Sequence, residues 1–369
     1  MFDKRIYENI DWGLIGLTLL LCSTGLVVLY SAVHAGSSTS HQIFFKKQLI
    51  WFSGGLVCMI IMSLINYKSL EKWGIWIYIG CVCLLIAVFF FGKMAGGSKR
   101  WLQFGPIALQ PSEIMKIGAI IILARYYSKK VTRQGFVLKT LITPFILVMI
   151  PFLLIAKQPD LGTGLLIVLI SVTMTLFVKI ARNTFVYMSV SFTAFVPFVW
   201  MFLLQEYQKQ RILTFLNPDS DPRRAGYHIV QSKIAIGSGM ITGKGYLQGT
   251  QNALSFLPEQ HTDFILTVLA EEWGFIGSAF LLVIYLAFLV WGLNIAAGCR
   301  DSFGTILSVG IVSMIFCQVF INVGMIMGLI PVVGVPLPLV SYGGSSVLTT
   351  MLGIGMLMSV SIRSQYSND

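Results

Sequence analysis

The residues best suited to chemistry are a few carboxylates and bases placed next to apolar runs. Asp263 follows Leu257-Pro258-Glu259-Gln260-His261-Thr262 and stands at the start of a long apolar stretch. Two readings of it stand. An acidic residue is favoured at a helix N-terminus, where the dipole stabilises a carboxylate. Alternatively, a carboxylate at a membrane surface can act as a general base and take a proton from a hydroxyl. Glu259 and His261 lie close enough in the chain to tune such a base or to help hold a cation, which makes Asp263 and Glu259 the candidate metal ligands. Glu113 and Lys116 are three apart and share a helix face, as a local ion pair or as a basic group poised for phosphate with an acid orienting it. Asp160, in Lys157-Gln158-Pro159-Asp160-Leu161-Gly162, is either an N-cap or a functional carboxylate in a very short turn.

Basic residues supply the complementary charge. Arg211, Arg223, Arg224, His228, Lys233 and Lys244 fall in one polar stretch with glycines at 237, 239, 243, 245 and 249. Glycines beside basic residues let backbone amides approach an anionic group. No Walker spacing is present, which argues against an ATP site. The four histidines (His34, His41, His228 and His261) lack zinc spacing. The six cysteines lie in or beside apolar runs, which argues against a disulfide scaffold or a thiolate metal site. Pro331, Pro336 and Pro338 lead into Ser341-Tyr342-Gly343-Gly344-Ser345-Ser346. This density of proline and glycine marks irregular backbone lining a cavity, or a plain turn.

The elements that position these groups follow from composition. Hydrophobic residues make up 56% of the 369 and charged residues 11%, against about 25% in soluble domains. The mean hydropathy is +0.81. Lipid must therefore solvate much of the surface, and the long continuous apolar runs are those of helices rather than of a barrel. The fold class expected is an all-α integral membrane protein with about ten transmembrane helices, at about 12–33, 46–66, 73–92, 111–127, 138–156, 161–178, 183–204, 263–296, 304–330 and 341–362. The eighth is too long for one simple crossing, and a tilt, a start above the bilayer or a break near Gly274 and Gly277 would accommodate it.

Lysines and arginines are more numerous in the loops of one side, which places both termini in the cytoplasm and the long loop of about 205–262, between the seventh and eighth helices, outside. The first apolar run is too long for a cleavable signal. The chain reads as one membrane domain, 1–369. Its net charge of +11 is scattered through short loops, which argues against nucleic acid as a partner.

Several ordered blocks resemble the SEDS family (shape, elongation, division and sporulation) of bacterial cell-wall proteins. They are Lys99-Arg100-Trp101; Gln110-Pro111-Ser112-Glu113 with Lys116; Lys157 to Thr163; Arg211-Ile212; Gly243-Lys244-Gly245; Leu257 to Phe264; and Pro336-Leu337-Pro338 with Ser341-Tyr342-Gly343-Gly344. The stretch Ala270-Glu271-Glu272-Trp273-Gly274 is more similar to the elongation branch than to the division branch. The resemblance implies a peptidoglycan glycosyltransferase of the bacterial cytoplasmic membrane, polymerising lipid II into β-1,4 glycan strands at the outer face for elongation and rod shape. It also implies a class B penicillin-binding protein as partner and a divalent cation, Mg2+ or Mn2+. Asp263 matches the family's essential aspartate, and Glu113, Lys116 and Asp160 match functionally important positions. Arg100, Lys116 and Arg211 are candidates for neutralising the leaving diphosphate, with Glu259, His261 and Ser341 in support. A lipid II flippase and a non-catalytic scaffold for the penicillin-binding protein are the alternatives.

Overall fold

The computed structural model describes residues 10–34, 42–95, 98–105, 107–130, 135–198, 200–201, 205–217, 225–253 and 260–364. Helices dominate. In chain order they are α1 (Trp12–His34), α2 (Gln42–Leu64), α3 (Tyr67–Phe91), α4 (Pro111–Lys129), α5 (Leu138–Lys157), α6 (Leu161–Phe177), α7 (Arg182–Phe198), α8 (Glu206–Leu216), α9 (Ala225–Gly239), α10 (Thr250–Ala253), α11 (Ile265–Gly298), α12 (Ser302–Ile326) and α13 (Gly344–Ser364). Each of the ten expected spans coincides with one of these helices. Among the described residues seven are both long and apolar enough to cross a membrane: α1, α2, α3, α5, α11, α12 and α13. The chain is a multi-pass helical membrane protein.

Burial sorts the helices into two classes. In α12 and α13, 83% of the most apolar window is buried, against 28% in α2, α3 and α5. A helix that is apolar all round and buried all round belongs at the centre of a bundle. The peripheral helices instead turn large apolar side chains outward, among them Trp73, Trp76, Phe90 and Phe91 of α3, which would be costly in water and is ordinary against lipid. α4 joins the central pair, with Met115, Lys116, Ile120 and Ala124 enclosed. Small residues let these helices approach closely: a Cβ on Gly353 of α13 would meet Ile311 and Met314 of α12 and Ile117 of α4 at 3.1, 3.4 and 3.6 Å.

Two features depart from a purely helical reading. Residues 93–109, expected as a short loop, form a three-stranded antiparallel sheet in the order β1 (Lys93–Ala95), β2 (Ser98–Phe104), β3 (Ile107–Leu109). β2 and β3 pair Leu102 with Leu109 and Phe104 with Ile107 across a turn in which Gly105 takes φ +62°. Pairing gives these backbone groups partners that a bare loop at a membrane boundary would lack.

The second departure concerns α11. Its 34 residues would span about 51 Å as one rod, well beyond a hydrocarbon core of about 30 Å. The helix breaks at Gly274, at φ 64° and ψ −157°, so the sequence expectation of a break there is met. All eight residues of 265–272 are buried, so the first segment is sandwiched by protein rather than exposed to lipid. The backbone groups freed at the break are taken up by the chain after α9: Phe275 N donates to Met240 O, Ile276 N to Ile241 O, Lys244 N to Glu271 O and Gly245 N to Glu272 O. The long loop therefore does structural duty, with α9 packed against α11 and α8 resting on α9.

Candidate functional site

The polar groups collect at one end of the bundle, where α4 and α13 begin and α12 ends; we call it the distal end. Asp160 shows how they are held. It stands at the N-cap of α6 but its side chain caps nothing, so the simple cap reading is overturned. Its Oδ2 accepts from Gln110 Nε2 at 2.9 Å and Ser112 Oγ at 3.0 Å, and its Oδ1 lies 3.6 Å from Arg100 Nη1. Arg100 Nη2 also donates to Pro159 O. The sheet makes this possible, because β2 carries Arg100 across to the α5–α6 turn. Asp160 is 4% exposed and the Arg100 side chain 31%, so a buried carboxylate anchors a guanidinium that still faces outward.

One helical turn further in, Lys116 Nζ meets Glu113 Oε2 at 2.8 Å. The local ion-pair reading holds, and the pair is enclosed, with Lys116 fully buried. Lys116 is thus placed to hold Glu113 beneath the site floor and does not reach an anion at the surface. Neither charged atom has a well-directed hydrogen bond, so the short contact is an ion pair whose hydrogen-bonding capacity is largely unused.

The irregular chain between α12 and α13 binds the remaining groups together. Arg211 Nη1 donates to Val332 O at 3.3 Å. Gly162 lies so close beneath Val333 O that a Cβ would collide with it. A Cβ on Gly334, which has φ +72°, would stand 3.2 Å from Asp263 Oδ2. Three successive residues therefore touch Arg211, the turn bearing Asp160, and Asp263. The segment is itself fixed from below: Asn322 Nδ2 donates to Val335 O at 2.8 Å and to Asp263 O at 2.9 Å, and Tyr285 OH donates to Pro338 O. Ser341 is buried, its Oγ accepting from Leu337 N and its carbonyl from Gln48 Nε2, so it braces this segment. The proline- and glycine-rich segment is packed into the bundle and is more than a plain surface turn, with Val335, Leu337, Leu339 and Val340 all buried.

His261 stacks on Phe44 with ring centroids 4.5 Å apart, and its carbonyl accepts from Tyr342 N. α11 takes Phe264, not Asp263, as its N-cap. Glu259 lies outside the described residues, as do Arg223 and Arg224. Among the described residues no three His, Cys, Asp or Glu side chains gather as a metal cluster. A hard divalent ion needs only one or two carboxylates when a substrate diphosphate supplies further oxygens, and Asp263 beside the Gly334 backbone fits that donor set.

Of the loop's basic residues, Lys244 is committed elsewhere. Its Nζ lies 2.7 Å from Glu271, whose carboxylate also accepts from Thr250 Oγ1 and Gln251 N. Glu272 accepts from Ser31 Oγ of α1 at 2.5 Å. These acids tie the broken part of α11 to its neighbours. Gln110, Ser112, Gln48, Asn322 and Gly334 were not singled out from sequence as functional residues. Their common signal is a polar residue or glycine beside proline or inside an apolar run.

A bundle of membrane helices with charged side chains collected at one end, around a buried irregular segment, defines a polytopic membrane protein with an interfacial site. The chain belongs to the FtsW/RodA/SpoVE cell cycle protein family, whose model matches residues 12–366. It is 43% identical over 344 residues to the peptidoglycan glycosyltransferase MrdB of Escherichia coli K12, covering 93% of this chain and 92% of that one. It is 39% identical to the stage V sporulation protein E of Bacillus subtilis, covering 96% and 98%. A solved chain from a peptidoglycan synthase complex, described as coordinating polymerization and crosslinking, superposes with a TM-score of 0.82 at 27% identity over 96% of this chain and 98% of that one. The rod shape determining protein RodA of Thermus thermophilus superposes with a TM-score of 0.70 at 25% identity, over 97% and 98%.

Proposed function

We propose that this chain is a peptidoglycan glycosyltransferase that polymerises lipid II into β-1,4 glycan strands at the outer face of the bacterial cytoplasmic membrane, serving elongation. The relatives' activity supports the reaction class. The observation that carries the site is the meeting of Asp263, Arg211 and the Asp160–Arg100 turn on residues 332–334.

The donor is a sugar on a lipid diphosphate, so its anomeric carbon must sit just above the hydrocarbon. In this reading both termini are cytoplasmic, as the lysine and arginine bias of the loops supports, and the distal end then lies at that height. Asp263 takes the proton of the acceptor 4-hydroxyl as its oxygen attacks the anomeric carbon. The bond to the diphosphate breaks in the same displacement, with inversion from an α-linked donor to a β linkage, and no covalent sugar–enzyme intermediate is required. The diphosphate leaves as an anion and needs charge neutralisation more than a proton. Arg100, anchored by Asp160, and Arg211 are placed to supply it. A divalent cation held by Asp263, with Glu259 as a second ligand, would add Lewis-acid stabilisation of the same charge. A class B penicillin-binding protein is the partner, receiving the strands for crosslinking.

Polymerisation of labelled lipid II by the purified protein with that partner tests the reading, comparing wild type with Asp263→Asn, with and without divalent cation. Long strands from wild type and none from a folded Asp263→Asn protein are expected. Equal polymer from both would remove Asp263 from the mechanism and move a flippase or scaffold ahead.

A further inference from the structure

The central helices carry more buried polarity than the site above accounts for. Gln318 of α12 is 0% exposed and Thr349 of α13 is 1% exposed, and both lie where an apolar residue would be expected. Neither Gln318 Nε2, Gln318 Oε1 nor Thr349 Oγ1 has a hydrogen-bond partner within the protein. Asn322 Oδ1 has none either, and Glu113 Oε2 and Lys116 Nζ, 2.8 Å apart as an ion pair, have no further hydrogen bond beside that contact. An isolated orphan would be a local oddity, since nearly all buried polar atoms find partners. Four in one neighbourhood, beside an enclosed ion pair, require a common explanation.

Helix geometry shows that they share a neighbourhood. Ile117 of α4, Met314 of α12 and Gly353 of α13 meet at a single point. Residues four apart lie on the same helix face, about 6 Å up or down the axis. One turn toward the distal end from that point stands Glu113 on α4, Gln318 on the antiparallel α12, and Thr349 on α13. The hydrogen bond from Gln110 N to Ser345 Oγ fixes the same register between α4 and α13 one turn further out. Lys116 flanks the layer through its contact with Glu113, and Asn322 stands one turn above Gln318 on the same face of α12. Asn322 in turn holds Asp263 O.

We infer that Gln318 and Thr349 are positioning residues of the glycosyltransferase site. They form, with Glu113, Lys116 and Asn322, a buried polar layer bridged by ordered water beneath the site floor. The orphaned atoms include both donors and acceptors. Lys116 offers only N–H groups, Glu113 accepts, and Gln318 and Thr349 do both. Water fits such a mixed set, since it makes two to four hydrogen bonds in a polar site. Ile117, Met314 and Ile311 close the layer from below with apolar side chains. The layer ties the Glu113–Lys116 pair on one side to the Asp263 segment on the other, so a change in either reaches the other without direct contact. This assignment rests on the transferase reading, but the layer itself is a statement about packing and can be tested apart from activity.

Two arms separate the cases. In the first, Gln318→Leu is placed in wild type and in a Glu113→Gln/Lys116→Met background, and unfolding temperature is measured in detergent for all four proteins. The loss from Gln318→Leu is expected to be clearly larger in the wild-type background. Equal losses in both would overturn the layer, whatever the protein's activity. In the second arm, lipid II polymerisation is measured for Gln318→Leu, Thr349→Val and Thr349→Ser. kcat is expected to fall about tenfold for the first two with KM nearly unchanged, as for a misplaced catalytic group, and Thr349→Ser is expected to restore it. Unchanged kcat in both Gln318→Leu and Thr349→Val would remove their positioning role even if the first arm shows coupling. If wild type itself forms no polymer, the transferase reading and the positioning role fail together, and the first arm still decides the layer.

Discussion

Single side chains at the distal end are held by partners that make their loss legible. Asp160 accepts from Gln110 and Ser112 and anchors Arg100. Asp160→Ala strands those donors in a buried place, and a destabilisation of about 1–3 kcal/mol is expected from denaturation in detergent. Asp160→Asn keeps an acceptor for them but loses the charge that orients Arg100, so it should spare stability and lower polymerisation. Glu113 and Lys116 follow a different rule. Removing one member of a buried ion pair leaves an uncompensated charge, so Lys116→Met alone should cost about 3–5 kcal/mol, whereas the joint Glu113→Gln/Lys116→Met change should cost less than the single one. An additive result in a double-mutant cycle would deny the pairing its energetic role.

At the scale of elements, the break in α11 governs how the chain after α9 is held. Gly274 adopts a backbone conformation that only glycine holds without strain, and an added Cβ would come within 2.6 Å of Ile241 O. Gly274→Ala is therefore expected to lower stability by more than 1 kcal/mol, on the order of two or three. It should also loosen residues 240–245, seen as faster hydrogen exchange at Lys244 and Gly245, whose amides bond across the break. The α6 start gives a second test. Gly162→Val pushes against Val333 O and shifts the segment that touches Asp263, so it should reduce polymerisation more than it reduces the unfolding temperature.

For the molecule as a whole, the solvent is lipid on the periphery and protein at the centre. Trp73 and Trp76 are 62% and 66% exposed on α3. In bilayers containing brominated lipid, proteins retaining only one of these tryptophans should show strong quenching, while a tryptophan in place of buried Phe303 should show little. Chelation of divalent cations is expected to reduce polymerisation and leave the unfolding temperature unchanged, because a cation shared between one or two carboxylates and the substrate does not hold the fold together. A parallel loss of both would assign the ion a structural place.

The amino-acid sequence by itself determined the class of fold and the ten helical stretches, because apolar run length is dictated by the thickness of the hydrocarbon core. It also offered a break near Gly274 and Gly277 as one way to fit the long eighth run. It drew attention to Asp263, Glu113, Lys116 and Asp160, since ionisable groups near membrane depth are too costly to be placed without a partner. Arg100 and Arg211 came in as diphosphate candidates through the family resemblance. Only the tertiary structure decided what each one faces. Local pattern made Asp160 a helix cap, and its partners instead come from residues 48 to 60 positions away in the chain. The short loop at 93–109 became a sheet because its backbone needed pairing, and the polar loop became a clasp on α11 because the broken helix needed donors and acceptors. Gln318 and Thr349 read as isolated polar residues in apolar runs until three helices brought them to one level. Run length and charge are properties of a segment, whereas partnership across α4, α12 and α13 depends on register between helices, which no single segment encodes.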